Sequence, residues 1–239
     1  MMVTTHRLLA IGDIHGYRNK LNDLLGIVRP TATDQVIFIG DYIDRGPDSR
    51  GVISRLIAFG QEFPQTVFIR GNHEEMLLDL IYNPEDGDEE FFQRNGGEVT
   101  LSSYGGALHK IPQQHLDFIK GTQLYYQHRA TVDDPRTGES REQDFLFVHA
   151  GIKPNVPLEQ QNRYALMEIR GEFLDSDKPM GETIVVHGHT FTKNVPSNAP
   201  YRIVLDSGVY LPPTLPHNIH NKLGLLTCCN VLTRQIWQV

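Results

Sequence analysis

The chain has 239 residues, 39% of them hydrophobic and 21% charged, an ordinary globular composition with enough apolar material for a sizeable core. Its formal net charge is −7, from 22 Lys and Arg against 29 Asp and Glu, which argues against sequence-independent binding of nucleic acid through a basic face. The apolar runs are strand-length, too short to span a membrane. The opening Met1-Met2-Val3-Thr4-Thr5-His6-Arg7 lacks the long apolar stretch of a signal peptide, so a cytoplasmic location is expected.

Leu8 to Ile11 reads as a first strand, and Tyr17 to Val28 as a helix with Leu21, Leu24, Leu25 and Val28 on one face, closed by Pro30. Val36 to Ile39 is a second strand, Asp48 to Phe63 a second helix and Thr66 to Ile69 a third strand, and His73 to Ile81 begins another helix. This β-α-β-α-β order predicts a partly parallel sheet with crossover helices. Between residues 83 and 121 the pattern degrades: Pro84 to Glu90 carries five carboxylates, and Asn95 to Gly106 is rich in Gly and Ser. We read this stretch as a small helical cap inserted over the site edge, its acidic run a solvated face.

Beyond it, Leu124 to His128 and Phe145 to Val148 read as strands around a polar loop, Asp133 to Gln143, and Pro157 to Leu174 reads as one helix. Thr183 to Val186, Arg202 to Leu205, Leu223 to Cys228 and Val231 to Val239 are late strands, assigned to a second, more antiparallel sheet. No repeat or linker divides the chain, so residues 1–239 are expected to form one α/β (α+β) domain, as a monomer. Cys228 and Cys229 are neighbours; a bond between them would be strained, and two plain thiols are expected.

The chemistry collects where strands end. The run Val36-Ile37-Phe38-Ile39 leads into Gly40-Asp41-Tyr42-Ile43-Asp44-Arg45-Gly46, and the carboxyl ends of strands are where α/β folds bind ligands. Four more clusters end apolar runs: Gly12-Asp13-Ile14-His15-Gly16, Gly71-Asn72-His73-Glu74, His149-Ala150-Gly151 and His187-Gly188-His189-Thr190. Asp13 and His15, one residue apart, can point to the same side. Asp41 offers two oxygens that could bridge two cations, and Asn72, His149 and His189 add a neutral oxygen and two imidazoles. Mixed nitrogen and oxygen donors suit Mn, Fe, Zn, Co or Ni rather than Ca. Two such ions would stabilise both attacking and leaving oxygens in a displacement at phosphorus.

These motifs resemble the signature of the phosphoprotein phosphatase group of the calcineurin-like metallophosphoesterases, in particular the bacterial-type serine/threonine protein phosphatases. The resemblance runs from Asp13 to about Asp206 and implies two packed mixed β-sheets flanked by helices. It also implies a site with two divalent transition-metal ions, with manganese the first expectation. Asp13, His15 and Asp41 would hold the first ion; Asp41 would bridge to a second completed by Asn72, His149 and His189. His73 would act as general acid, paired with Asp44, since a carboxylate beside an imidazole favours the protonated form a donor needs. Arg45 and Arg170 would clamp substrate phosphate, for which a guanidinium is well shaped. His187 is expected to support the site or simply pack, and Asp206 to support it; His217 and His220 are expected at the surface.

The implied activity is hydrolysis of phosphoprotein or phosphopeptide by direct attack of metal-bound water, with no nucleic-acid or membrane partner. A symmetric dinucleoside tetraphosphate hydrolase shares the early motifs, but Asp44, Glu74 and Thr190, where that branch typically has tryptophan, favour the protein phosphatases. A catalytically dead phosphate-binding scaffold would be expected to lose ligands or the acid, and here every position is filled.

Overall fold

The structure, a computed structural model, describes residues 7–83, 85, 87–133, 137–196, 199–211 and 223–239; His217 and His220 lie outside them. Strands β1 (Leu8–Ile11), β2 (Gln35–Phe38) and β3 (Val67–Phe68) are parallel and joined through helices α1 (Arg18–Val28) and α2 (Ser49–Glu62), the crossover arrangement the early sequence predicts. Helix α3 (Asn72–Tyr82) follows β3. The inserted stretch forms α4 (Glu89–Phe92), a wide helical turn kinked at Gly96, α5 (Glu98–Ser103) and α6 (Gln113–Lys120). After it come β4 (Tyr125–Asp133), β5 (Ser140–Val148), α7 (Arg163–Glu168), α8 (Gly171–Leu174), β6 (Ile184–His187), β7 (Arg202–Val204), β8 (Thr227–Asn230) and β9 (Gln235–Gln238).

Two mixed sheets result, ordered β3-β2-β1-β8-β9 and β4-β5-β6-β7. Side chains alternate along β1 so that Leu9 and Ile11 face the helices while Leu8 and Ala10 face the second sheet. Both faces are covered, which is why β1 and β2 read as unbroken apolar runs. Between the sheets, Ile37, Ile39 and Val67 meet Phe145, Phe147, Val186 and Ile203. On the outer face of the first sheet, Leu21, Leu24, Leu25 and Val28 of α1 pack with Val52, Ile53, Leu56 and Phe59 of α2. A separate cluster places Leu166 and Phe173 against Leu146 and Val185 of the second sheet. The layers are therefore helix, sheet, sheet, helix, and the strand ends carrying the polar clusters gather at one edge.

Three expectations are corrected. The strands on either side of the expected polar loop, Asp133 to Gln143, are longer than read and extend into it, because β4 and β5 pair over nine residues, Tyr125↔Val148 to Asp133↔Ser140. The helix expected over residues 157–174 is broken into a short turn at Leu158–Gln160 and the helices α7 and α8. Asn162 caps α7 by accepting from the Ala165 N–H, and Ile169 and Arg170 leave helical geometry. Arg170 is thus a break residue, not a helix residue. Finally, β8 and β9 join the first sheet: β8 runs antiparallel beside β1, Leu9↔Asn230 to Ile11↔Cys228. Cys228 and Cys229 are buried free thiols, as expected. Among the described residues no helix is long and apolar enough to cross a membrane.

Core and cap contribute unequally to stability. Phe38 is fully buried between the rings of Phe59 and Phe68, at 5.4 and 5.3 Å between centroids, whereas Asp48 caps α2 by accepting from the Gly51 N–H at 2.8 Å. Phe38→Ala is expected to cost ~3–5 kcal/mol and Asp48→Ala ~1 kcal/mol, an ordering that urea unfolding of the two variants checks.

Candidate metal centre

The turn after β2 carries the centre. Asp41, Asp44 and Arg45 all have left-handed backbone, with φ of 51°, 70° and 66°, a conformation most side chains avoid. Local preference does not make this turn; long-range hydrogen bonds do. Glu74, buried in the first turn of α3, accepts from the N–H groups of Asp41 (2.9 Å), Tyr42 (2.8 Å), Ile43 (3.2 Å) and Gly71 (3.0 Å). Burial, and then the neighbouring Asp41 charge, raise its pKa to about 7, while the backbone donors pull the other way. Gly71 has to be glycine for close approach: a Cβ there would lie 2.1 Å from Asp41 Oδ1.

The histidines are then aimed by backbone carbonyls. His15 Nδ1 donates to the Ile43 carbonyl at 3.0 Å, and His149 Nδ1 to that of Ile39 at 2.9 Å. A carbonyl only accepts, so each Nδ1 carries its hydrogen and each Nε2 turns inward. His15 Nε2 lies 3.5 Å from Asp41 Oδ2, and His149 Nε2 lies 3.3 Å from Asp41 Oδ1 and 3.1 Å from Asn72 Oδ1. Asn72 Oδ1 is also 3.1 Å from His189 Nδ1. Two groups of potential ligand atoms share Asp41, namely His15, Asp41 and His73, and Asp41, His149 and His189, with the atoms of each within 4.8 Å of one another. Asp41 is therefore placed between two clusters.

Electrostatics mark the same spot. Burial opposes charge on His149, but the Asp41 carboxylate outweighs it, with Asp13 assisting, and raises its pKa to about 10. Burial and His149 together lower His189 to about 3. Burial, with Asp206 close by, pushes Asp13 well above the usual carboxylate range. Asp13 Oδ2 accepts from the His189 N–H at 3.0 Å, but its buried Oδ1 has no hydrogen-bond partner, and neither has His189 Nε2. A Cβ at Gly188 would lie 2.0 Å from that Oδ1. Unpartnered buried donors of this kind, mixed nitrogen and oxygen, fit divalent transition metals.

Around this core sit the other expected residues. His73 Nδ1 donates to Asp44 Oδ2 at 2.7 Å, both groups being buried, and His73 Nε2 points back to within 3.8 Å of Asp41 Oδ2. Burial raises the Asp44 carboxyl, while its bonds to His73 and Thr100 pull it down. Arg45 donates to His15 Nε2 at 2.8 Å and lies over the Tyr210 ring at 4.2 Å. Arg170, exposed, donates to the Thr190 hydroxyl at 3.1 Å. His187 is turned aside: its Nδ1 donates to the Gly188 carbonyl, its ring meets Phe173 edge-on at 5.0 Å, and burial lowers its pKa to about 3. Asp206 accepts from the Gly208 N–H at 2.8 Å. Sequence reasoning missed Tyr210, Thr100 and the backbone role of Glu74. Only Glu74, three residues after a glycine and in the first turn of a helix, left a signal that could have been read.

The profile of the calcineurin-like phosphoesterase family matches residues 6–211, and the chain belongs to that family. A bis(5'-nucleosyl)-tetraphosphatase (asymmetrical) of Oceanobacillus iheyensis is 27% identical over 207 residues, 75% of each chain. A provisionally named serine/threonine-protein phosphatase of Schizosaccharomyces pombe is 28% identical over 151 residues, 62% of this chain but 40% of its own length. A solved structure provisionally described as a diadenosine tetraphosphatase superposes with a TM-score of 0.66 at 24% identity, covering 98% of this chain and 93% of its own, a likeness that shows the fold alone.

Replacing Glu74 by Gln would turn an amide NH2 toward backbone donors that need an acceptor. Glu74→Gln is expected to lose ~1–3 kcal/mol of stability, the cost of buried donors left unpaired, and to bind Mn more weakly than wild type. Urea unfolding and titration calorimetry read the two effects.

Proposed function

We propose that this chain is a phosphomonoesterase of the phosphoprotein phosphatase group, acting on phosphoserine and phosphothreonine in proteins or peptides. One observation carries the reading: the buried His73–Asp44 pair, whose Nδ1–Oδ2 bond of 2.7 Å directs His73 Nε2 at the shared Asp41. A serine or threonine alkoxide is a poor leaving group and has to be protonated as it departs, which is the work of a positioned general acid. In a dinucleoside polyphosphate the departing group is itself a phosphate, with its last pKa near ~6, and needs no such donor.

Asp13, His15 and Asp41 would hold one metal ion, and Asp41, Asn72, His149 and His189 a second. When bound, such ions lower the pKa of water and offset charge on the phosphoryl group. The chain's own residues then have distinct tasks. Arg45, its guanidinium backed by Tyr210 and displaced from His15 Nε2 once that nitrogen holds a metal, and Arg170, backed by Thr190, would each offer paired donors to phosphate oxygens. Asp44 fixes the His73 tautomer, and His73 gives the proton to the leaving oxygen. The relative from Oceanobacillus iheyensis, named for a dinucleoside tetraphosphate, favours a second reading, a dinucleoside tetraphosphate hydrolase on the same centre.

Purified protein loaded with Mn is expected to dephosphorylate phosphoserine peptides, to lose that activity to a chelator and to regain it with Mn. Turnover of diadenosine tetraphosphate alone would make the second reading the right one. In His73→Asn the kcat for phosphoserine peptide should fall ~10²–10⁴-fold with Mn content unchanged, and the loss should be smaller for an aryl phosphate, whose phenolate (pKa ~10) leaves more readily. An equal loss on both substrates, or loss of metal, would remove His73 from the acid role.

A further inference from the structure

The inserted stretch between α3 and β4 reaches the turn that carries Asp44 and Arg45. From α5 it sends Thr100, fully buried, into the turn that carries Asp44. The Thr100 hydroxyl donates to Asp44 Oδ1 at 2.7 Å, and its oxygen accepts from the Asp44 N–H at 2.8 Å. Ser49, also buried, lies 2.8 Å from Thr100 Oγ1 and 3.1 Å from the Asp44 nitrogen.

The hydrogens can be assigned by counting. Asp44 Oδ1 can only accept if the carboxylate is ionised, so the single Thr100 hydrogen goes to it. Ser49 must then donate to Thr100. A directed chain follows: Ser49 O–H to Thr100, Thr100 O–H to Asp44 Oδ1, and His73 Nδ1–H to Asp44 Oδ2. The insertion supplies a second hold on the same turn, for the Gly96 carbonyl accepts from the Arg45 N–H at 3.2 Å.

We propose that Thr100 is a positioning residue for proton donation: by occupying Oδ1 it fixes the plane of the Asp44 carboxylate, so that Oδ2 holds the His73 ring with Nε2 toward the Asp41 side of the site. The inserted helix thereby contributes to the reaction from outside the strand-end motifs. The proposal rests on the general-acid reading above and deepens it. A purely structural Thr100 would affect all substrates alike; one acting through Asp44 and His73 affects those whose leaving oxygen needs a proton.

The test compares Thr100→Val, Thr100→Ser and His73→Asn, each loaded with Mn, on a phosphoserine peptide and on para-nitrophenyl phosphate. Valine keeps the shape but loses the hydroxyl, and Ser49 still lies within reach of the Asp44 N–H. For Thr100→Val we expect kcat on the peptide to fall ~10-fold or more, the scale of one lost charge-assisted hydrogen bond. The loss on the aryl phosphate should stay within ~2-fold, because little proton donation is needed there. KM and Mn content should not change, and Thr100→Ser should recover most of the activity. Equal losses on both substrates, no loss on the peptide, or failure of serine to rescue would overturn the proposal. If His73→Asn itself shows no dependence on the leaving group, the general-acid reading fails instead, and the two failures are told apart. Should Thr100→Val not fold, Thr100→Ala gives the same comparison.

Discussion

A carboxylate that faces four backbone N–H groups is the constraint on which the centre depends. Glu74 meets donors from three consecutive residues of one turn and from the glycine that opens its own helix. Three consecutive N–H groups can converge on one carboxylate only if the backbone between them is bent, and Asp41 at φ 51° shows where the bend lies. Among the described residues, eight other than glycine have positive φ, and five of them, His15, Asp41, Asp44, Arg45 and His189, belong to the site. Each such conformation costs of order ~1–3 kcal/mol. The strain is offset by buried bonds to Glu74, Thr100 and Asp13.

Charge in this cradle is divided unevenly. The rings of His149 and His189 are 5.1 Å apart, yet one imidazole is held up at about 10 and the other pulled down to about 3. The difference lies in which of them faces Asp41 most directly. Burial works against charge on all three neighbouring carboxylates, yet His149 and His73 hold Asp41 well below the usual carboxylate range, while Asp13 is pushed up by burial and by Asp206, and Asp206 by burial and by Asp41. A cation at the centre would relieve that crowding of carboxylates, and the two arginines at its margin suit an anion above them.

The elements that positioned the centre were legible because they obey local rules. β1, β2, α1 and α2 announced themselves through apolar periodicity, and of the expected site residues His15, Asp41, His73, His149 and His189 fall into two groups that share Asp41. What escaped has physical causes. β8 and β9 join the first sheet because β1 offers them an edge, a long-range choice that no local pattern in Thr227 to Gln238 encodes. The helix read through Ile169 and Arg170 failed because a cap at Asn162 and the bond from the Ala150 N–H to the Leu166 carbonyl divide it. Thr100 sits in a glycine- and serine-rich stretch, and nothing local distinguishes a hydroxyl that will meet Asp44 from one that will meet water.

The place of β8 has a consequence for how the protein is made. β1 holds two neighbours, β2 on one side and β8 on the other, and among the described residues β8 is the next-to-last strand. During vectorial synthesis β1 and β2 emerge early and can pair, while the far edge of β1 waits for residues 227–230. Until then a fully apolar central strand presents open hydrogen-bonding groups, the kind of edge that invites pairing with another chain. The first sheet therefore closes only once residues 227–230 have left the ribosome, long after β1, and until then its inner edge stands open to mispairing.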